Sequence, residues 1–208
     1  MKSDSAVIFV VDDDRSVRNA LERLIKSVGF RVKTFDRAQS FLDSAFCESP
    51  CCLVLDVRMP QMSGIELQEK MALRGLNMPV IFITGHGSVS MGVQAMKAGA
   101  TDFIEKPFED QQLIETIQAA IVKDRQAKQK QAEIMKIQKR AASLTPREYE
   151  VFKLVVSGML NKQIAYELAV SEKTIKVHRA RVMEKMKAKS LVSLVRMAEK
   201  IGIWGVSD

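Results

Sequence analysis

Five times within the first 120 or so residues a short apolar run is followed by a stretch of helical period, and this alternation leaves few folds open. The runs are Ala6 to Val11, Arg31 to Phe35, Cys51 to Leu55, Val80 to Ile83 and Thr101 to Ile104. The helical stretches cover about 15–28, 37–45, 64–74, 89–98 and 109 onward. In the first of them Val17, Leu21, Leu24, Ile25 and Val28 share one stripe, with Arg15, Arg18, Glu22 and Lys26 elsewhere. Gly29 stands where a helix ends. Strand-then-helix units in series predict an α/β domain: a five-stranded parallel, doubly wound sheet with helices on both faces. In such sheets ligands and chemistry collect where loops leave the carboxyl ends of the strands.

At those ends stand Asp12, Asp13 and Asp14, then Asp56, then Thr84, then Lys106-Pro107. Carboxylates crowded into one crevice repel unless a cation neutralises them, and Mg2+ prefers such hard oxygen ligands. A carboxylate in that setting can act as a nucleophile toward phosphorus, with Lys106 supplying positive charge and the Thr84 hydroxyl binding one oxygen. Taken singly, Asp12 to Asp14 read equally well as helix caps and Lys106 as a solvated charge. All of these positions falling at strand ends favours the shared site.

The 208 residues carry a formal charge of +7, unevenly divided. Residues 1–122 hold 13 Lys and Arg against 16 Asp and Glu, whereas 123–208 hold 19 against 9. An acidic half joined to a basic half points to two tasks, with a polyanion as partner of the second. Cys47, Cys51 and Cys52 are an odd count in an apolar setting, so they read as small hydrophobes in a reducing compartment. No apolar run approaches the 20 or so residues of a membrane span, and the first residues lack a cleavage-site pattern. The expected location is the cytoplasm, with no membrane partner.

From 111 to 138 there is no Gly or Pro, and 123–140 is dense in Lys, Gln, Arg and Ala. The last helix of the first domain is therefore expected to run on as a stalk, with Ile114, Ile117, Ile121, Ile134 and Ile137 as its apolar points. Between Lys123 and Gln131 those points thin out, which predicts a solvated or weakly ordered stretch. The expected organisation is thus 1–122, a helical linker 123–140, and a small all-α four-helix domain 141–208.

That last domain opens with Thr145-Pro146-Arg147-Glu148, a helix start with Thr as cap and Pro first. Gly158 stops the helix; Asn161, Ser171 and Ser190 are read as the caps of three more. The second and third, joined by a tight turn, predict a helix-turn-helix. Residues 172–189 contain seven Lys and Arg against Glu172 and Glu184. With the apolar residues on the inner stripe, those cations are expected to face outward, toward a DNA major groove.

Residues 1–122 resemble the receiver domain of two-component response regulators. The likeness rests on Val10-Val11-Asp12-Asp13-Asp14, the stretch Leu55-Asp56-Val57-Arg58-Met59-Pro60 through Gly64, Ile83-Thr84-Gly85-His86-Gly87, and Phe103-Ile104-Glu105-Lys106-Pro107-Phe108. The resemblance implies Asp56 as phosphoacceptor beside the acidic pair Asp12 and Asp13. It also implies Mg2+ held by Asp13, Asp56 and the backbone carbonyl of Arg58, with Asp12 in the same acidic set. Thr84 and Lys106 become the switch hydroxyl and its lysine, Phe103 the aromatic that moves, and Lys106-Pro107 a cis peptide. Met91, Met96 and Phe108 are read either as packing or as part of a partner surface. His86, a loop histidine without a base, is read as incidental.

Residues 141–203 resemble the LuxR-type DNA-binding domain, through Leu144-Thr145-Pro146-Arg147-Glu148, Asn161-Lys162-Gln163-Ile164-Ala165 and Ser171-Glu172-Lys173-Thr174-Ile175-Lys176-Val177-His178-Arg179. Together with the receiver, this half makes the chain resemble the FixJ-type regulators. By that likeness Lys176, Val177 and Ala180 face base edges, while Asn161, Lys162, Lys173, Thr174 and Arg179 contact phosphates. Ser190, Leu194, Val195 and Ala198 pair protomers on a two-fold site. The implied function is a transcription factor, not an enzyme, switched when a sensor histidine kinase phosphorylates Asp56 with Mg2+ present, and slow to dephosphorylate itself. Its implied partners are double-stranded DNA, the cognate kinase, a second copy when phosphorylated, and RNA polymerase at a promoter. Two rivals stay open at this point. One is a phosphorylation-independent DNA binder whose receiver serves only as a dimerisation module. The other is a phosphohydrolase, against which Arg58 stands where such an enzyme wants a second acid.

Overall fold

Strands β1 (Val7–Val11), β3 (Cys51–Asp56) and β4 (Val80–Thr84) are buried along their whole length, which is why they read as unbroken apolar runs rather than as alternating ones. With β2 (Arg31–Phe35) and β5 (Asp102–Glu105) at the edges they form one parallel sheet in the order β2-β1-β3-β4-β5. The computed structural model describes residues 6–44, 47, 49–85 and 89–203, with only the backbone of 89–91 and 94. His86 and Gly87, and the side chain of Met91, therefore lie outside the described residues. The chain divides into two compact units, Met1–Lys128 and Gln129–Asp208.

In the first unit, alternate residues of the sheet feed two cores. Phe9, Val11, Leu53, Leu55 and Phe82 pack with helices α2 (Ala38–Ser44) and α3 (Gly64–Leu73). Ile8, Val10, Val54, Ile81 and Ile83 pack against α1 (Arg15–Ser27) and the first turns of α5 (Asp110–Ala141). Each fully buried side chain of this size stabilises the fold by about 1.5–3 kcal/mol relative to an exposed one. Helix α4 (Val89–Lys97) completes the alternation. Asp14 caps α1 by accepting from the amides of Ser16 and Val17, and Gly29, at a φ of 90°, ends it.

The stretch read as solvated or weakly ordered is mostly exposed, but it is regular helix with one buried anchor. Helix α5 is unbroken through it, and Asp124 is buried. Its Oδ2 accepts from the amide of Cys51 at 2.8 Å and from Lys128 Nζ at 2.8 Å. Lys128 donates in turn to the carbonyl of Ser49 and to Cys51 Sγ. Polar contacts hold these turns down where no apolar stripe exists, so hydrophobic periodicity could not register them. Cys51 and Cys52 are free and buried, as expected. Burial pushes the Cys51 thiol up to about 12, against the pull of Lys128, so it stays protonated.

The second unit contains α6 (Pro146–Val156), α7 (Asn161–Glu167), α8 (Glu172–Met186) and α9 (Leu191–Lys200). Its core joins Phe152, Val155, Ile164, Ile175, Val182 and Met186, with Ile137 from the end of α5. Thr145 and Glu148 form a capping box on α6, while Ser171 and Ser190 cap α8 and α9. The turn between α7 and α8 is closed by Ala169 at a φ of 51°. Asn161 is not a cap: α7 is preceded by Leu160, whose amide donates to the side chain of Gln163.

Candidate functional site

The parallel register aligns the carboxyl ends of β1, β3, β4 and β5. Val11 lies opposite Leu55, Asp56 opposite Ile83, and Thr84 opposite Glu105. The residue after β1, Asp12, and the last residue of β3, Asp56, are 1% and 7% exposed. Lys106 reaches over from the loop after β5, its Nζ 3.0 Å from Asp12 Oδ2 and 2.9 Å from Asp56 Oδ1. Its own amide donates to the carbonyl of Thr84 at 2.7 Å, and the Lys106-Pro107 peptide is cis. Thr84 itself is buried. The second oxygen of Asp56 accepts from the amide of Arg58 at 2.8 Å, and Asp12 Oδ1 accepts from that of Asp14.

Burial pushes the Asp56 carboxyl above its ordinary value, and neighbouring Asp12 adds to this; the hydrogen bonds from Lys106 and Arg58 oppose it. For Lys106 burial acts downward, but the bonds and charges of Asp56 and Asp12 outweigh it and hold the ammonium above its usual value. The site is thus a pair of carboxylates held in a half-dry crevice by one shared cation.

It differs in one respect from the three-carboxylate crevice that the sequence suggests. Asp13 is exposed, and Asp14 is occupied as a helix cap. Among the described residues no group of three or more His, Cys, Asp or Glu could by itself hold a metal. Mg2+ asks for less: one or two carboxylates, a carbonyl and several waters. Two buried carboxylates that already draw in an ammonium, with Asp13 at the rim and Arg58 beside Asp56, are a donor set of that kind. Phe103 is half-buried against the α2–α3 side of the sheet, and a Cβ placed on Gly92 would lie 3.6 Å from its ring.

Sequence reasoning misses two contributors. A Cβ on Gly64 would lie 2.4 Å from the carbonyl oxygen of Asp56, so only glycine lets α3 begin here; its amide donates to the carbonyl of Val57. Arg18, assigned to the polar face of α1, donates to the carbonyl of Asp12 at 2.7 Å. A signal for Gly64 exists in the Ser63-Gly64 pair after Asp56, whereas nothing in the period of α1 sets Arg18 apart.

The second face lies on α8. Lys173, Lys176, Val177, Ala180 and Arg181 are exposed along it, and Lys162 is exposed on α7. Two of the seven cations expected to point outward are half-buried and bonded within the unit. Lys185 pairs with buried Glu148 of α6, and the Arg179 guanidinium donates to Asn161 Oδ1 at 3.0 Å. Thr174 shares a 2.9 Å hydroxyl–hydroxyl bond with Ser171. His178 is half-buried, with its Nδ1 enclosed.

The expected pairing face of α9 also needs correction. Leu194 and Ala198 are 0% and 1% exposed, inside the unit's own core, and Ser190 is a cap. Period 3.6 marks the apolar stripe correctly but cannot say whose core it covers. Val195 is half-exposed, and the outward apolar residues are Leu191 and Val192. Among the described residues no helix is long and apolar enough to cross a membrane.

Comparison with known proteins finds a family for each half of the chain. The family model "Response regulator receiver domain" matches residues 8–118, and "Bacterial regulatory proteins, luxR family" matches 142–198. Nodulation protein W of Bradyrhizobium diazoefficiens is 45% identical over 201 residues, covering 97% of this chain and 88% of its own length. Transcriptional regulatory protein FixJ of Rhizobium meliloti is 48% identical over 191 residues, covering 92% and 94%. The solved structure of the response regulator StyR superposes with a TM-score of 0.86 at 46% identity, over 94% of this chain and 99% of that one. With a receiver, a LuxR-type DNA-binding domain and near full-length relatives of this kind, the chain belongs to the FixJ-type response regulators, a family of transcription regulators.

Proposed function

We propose that the receiver takes a phosphoryl group from a sensor histidine kinase onto Asp56 and that this modification controls DNA binding by the C-terminal unit. The observation that carries the reading is the single ammonium of Lys106 shared between Asp56 and Asp12 at the ends of two adjacent strands. In the transfer, a carboxylate oxygen of Asp56 attacks phosphorus, the bond to the donor's histidine nitrogen breaks, and that nitrogen keeps the electron pair. Lys106, already 2.9 Å from the acceptor oxygen, follows the charge onto a phosphoryl oxygen, and the Arg58 amide holds the other carboxylate oxygen in line. Asp13, Asp56 and the carbonyl of Arg58 would hold Mg2+, which when bound supplies further positive charge to the phosphoryl oxygens. Slow self-dephosphorylation would reset the switch.

A phosphoryl group adds close to two negative charges to this crevice. Lys106 is drawn from Asp12 toward the new anion, and the carbonyl of Thr84, bonded to the Lys106 amide, carries the change into β4. Phe103, on the strand after β4 and packed beside Gly92 of α4, is the side chain placed to respond. Dimerisation of the phosphorylated form would let two DNA-binding units engage a two-fold site at high effective concentration. Residues 123–140 would link the two domains in the cytoplasm, and RNA polymerase would be the partner at a promoter.

Asp56→Asn tests the reading: the variant should fold and fail to retain labelled phosphoryl from a small phosphodonor, and wild-type DNA affinity should rise with the donor while the variant's does not. Retained labelling moves the acceptor elsewhere. Equal DNA affinity with and without donor favours a receiver that only dimerises.

A further inference from the structure

The hydrogen bond between α7 and α8 assigns a role to Asn161 that its exposure alone would not. Arginine carries donors only, so the Asn161 amide must turn its oxygen toward Arg179, consistent with the 3.0 Å bond from Nη1 to Oδ1. Asn161 is the first residue of α7, and Arg179 stands two turns into α8, the helix that also exposes Lys173 and Lys176. Both partners are half-buried, so the bond is shielded from water more than one between two freely moving surface side chains. A guanidinium held at one nitrogen keeps its planar fork in a fixed direction, with the remaining donors free for a bidentate anion.

We propose that Asn161 is a positioning residue for DNA binding: its side-chain oxygen orients the Arg179 guanidinium, and Arg179 alone of the two touches the phosphate. This rests on the reading of α8 as the DNA-facing helix. It replaces two independent phosphate contacts, which the sequence suggests, with one contact and its support.

The difference has a measurable signature. Only a charge that displaces counterions contributes to the salt dependence of DNA affinity. Asn161→Ala exchanges one neutral residue for another. If the Asn161 amide itself bonded to phosphate, the exchange would weaken binding and leave the salt slope alone. If instead Asn161 orients Arg179, the same exchange disables a charge elsewhere, and the slope flattens.

The experiment uses the full chain, a mixed-sequence duplex as probe, and affinity measured across a salt series for wild type, Asn161→Ala, Arg179→Ala and the double variant. Arg179→Ala should flatten the slope by about one unit, and Asn161→Ala by about half a unit or more. Asn161→Ala should also weaken low-salt binding by about three- to tenfold in the wild-type background, and by almost nothing when Arg179 is already alanine. An unchanged slope in Asn161→Ala, or equal losses in the two backgrounds, overturns the proposal. Thermal melting by circular dichroism checks the fold, and Asn161→Ser repeats the series should the alanine variant melt early. Wild-type protein without salt-dependent binding to the duplex would instead defeat the DNA reading itself, so the two failures are distinguishable.

Discussion

The two units handle charge in opposite ways. In the first, the charges that matter are taken largely out of water and tied to one another: Asp12 and Asp56 share Lys106, and Asp124 is clasped by Lys128 and the amide of Cys51. In the second, α8 and the turn after it hold Lys173, Lys176, Arg181, Lys187 and Lys189 in solvent, and among the described residues none of these pairs with a carboxylate. A switch thrown by one added group needs the first arrangement, because a new charge perturbs strongly only where the dielectric is low. Gripping a polyanion needs the second, because exposed cations exchange their counterions for phosphates without first breaking internal bonds. Removing a charge should therefore cost stability in one unit and binding in the other.

The largest effect is expected at Lys106. Lys106→Met leaves two buried carboxylates facing each other and should destabilise the first unit by about 3–5 kcal/mol at neutral pH, read from urea unfolding. A loss below about 1 kcal/mol would mean the crevice is wetter than its burial indicates. In wild type the contribution of Lys106, whose pKa is raised, persists through neutral pH and fades only as pH climbs past its ordinary 10.5. Asp56 runs the other way. Its carboxyl is raised above the ordinary 3.8, so the folded state holds that proton more tightly than the unfolded one, and stability falls as pH rises through the raised value. Asp56→Asn should accordingly melt above wild type at neutral pH, with the gap closing as pH falls through that value; a lower melting temperature would show that the Lys106 pairing outweighs the burial of Asp56.

This contrast also explains what can be read in the sequence. Strands buried on both faces announce themselves, so β1, β3 and β4 are legible to within a residue of their bounds, and the site residues follow from standing at strand ends. The helix caps Thr145, Ser171 and Ser190 are local signals and are legible for that reason. Long-range polar pairs are not. Asp124 meets Cys51 across 73 positions, and Lys185 meets Glu148 across 37. Nothing in the composition of a Lys- and Gln-rich helix says which of its charges will find a partner. The inward turn of Leu194 and Ala198 escapes the sequence for a related reason: amphipathic period gives a face, and tertiary packing decides what covers it.

An intermediate effect is expected where the rule of the second unit breaks down. Lys185 lies on α8 yet serves Glu148, a buried carboxylate that also accepts from the Thr145 amide and is held below the ordinary carboxylate range by the two together, Lys185 foremost. The contribution of Glu148 is present above 4.5 and is lost as pH falls through its lowered value. Lys185→Met should destabilise the second unit by about 1–3 kcal/mol in urea unfolding, while the salt slope of DNA binding stays the same. A flattened slope with unchanged stability would return Lys185 to the DNA face.

The smallest effect on stability, and the sharpest test of the contrast, is expected at Lys173 and Lys176. Both are exposed, so alanine at either should leave unfolding within about 0.5 kcal/mol of wild type. Lys173→Ala, at the first turn of α8, should weaken binding evenly across DNA sequences and lower the salt slope by about one unit. Lys176→Ala, beside the exposed apolar pair Val177 and Ala180, should instead relax base preference, by about 1–3 kcal/mol where the lysine reads a guanine edge. Selection from a randomised duplex pool separates the two: a preference that survives Lys176→Ala but not Lys173→Ala would exchange their roles. A stability loss in either variant would tie that cation into the fold, as Lys185 is, and remove it from the DNA-facing set.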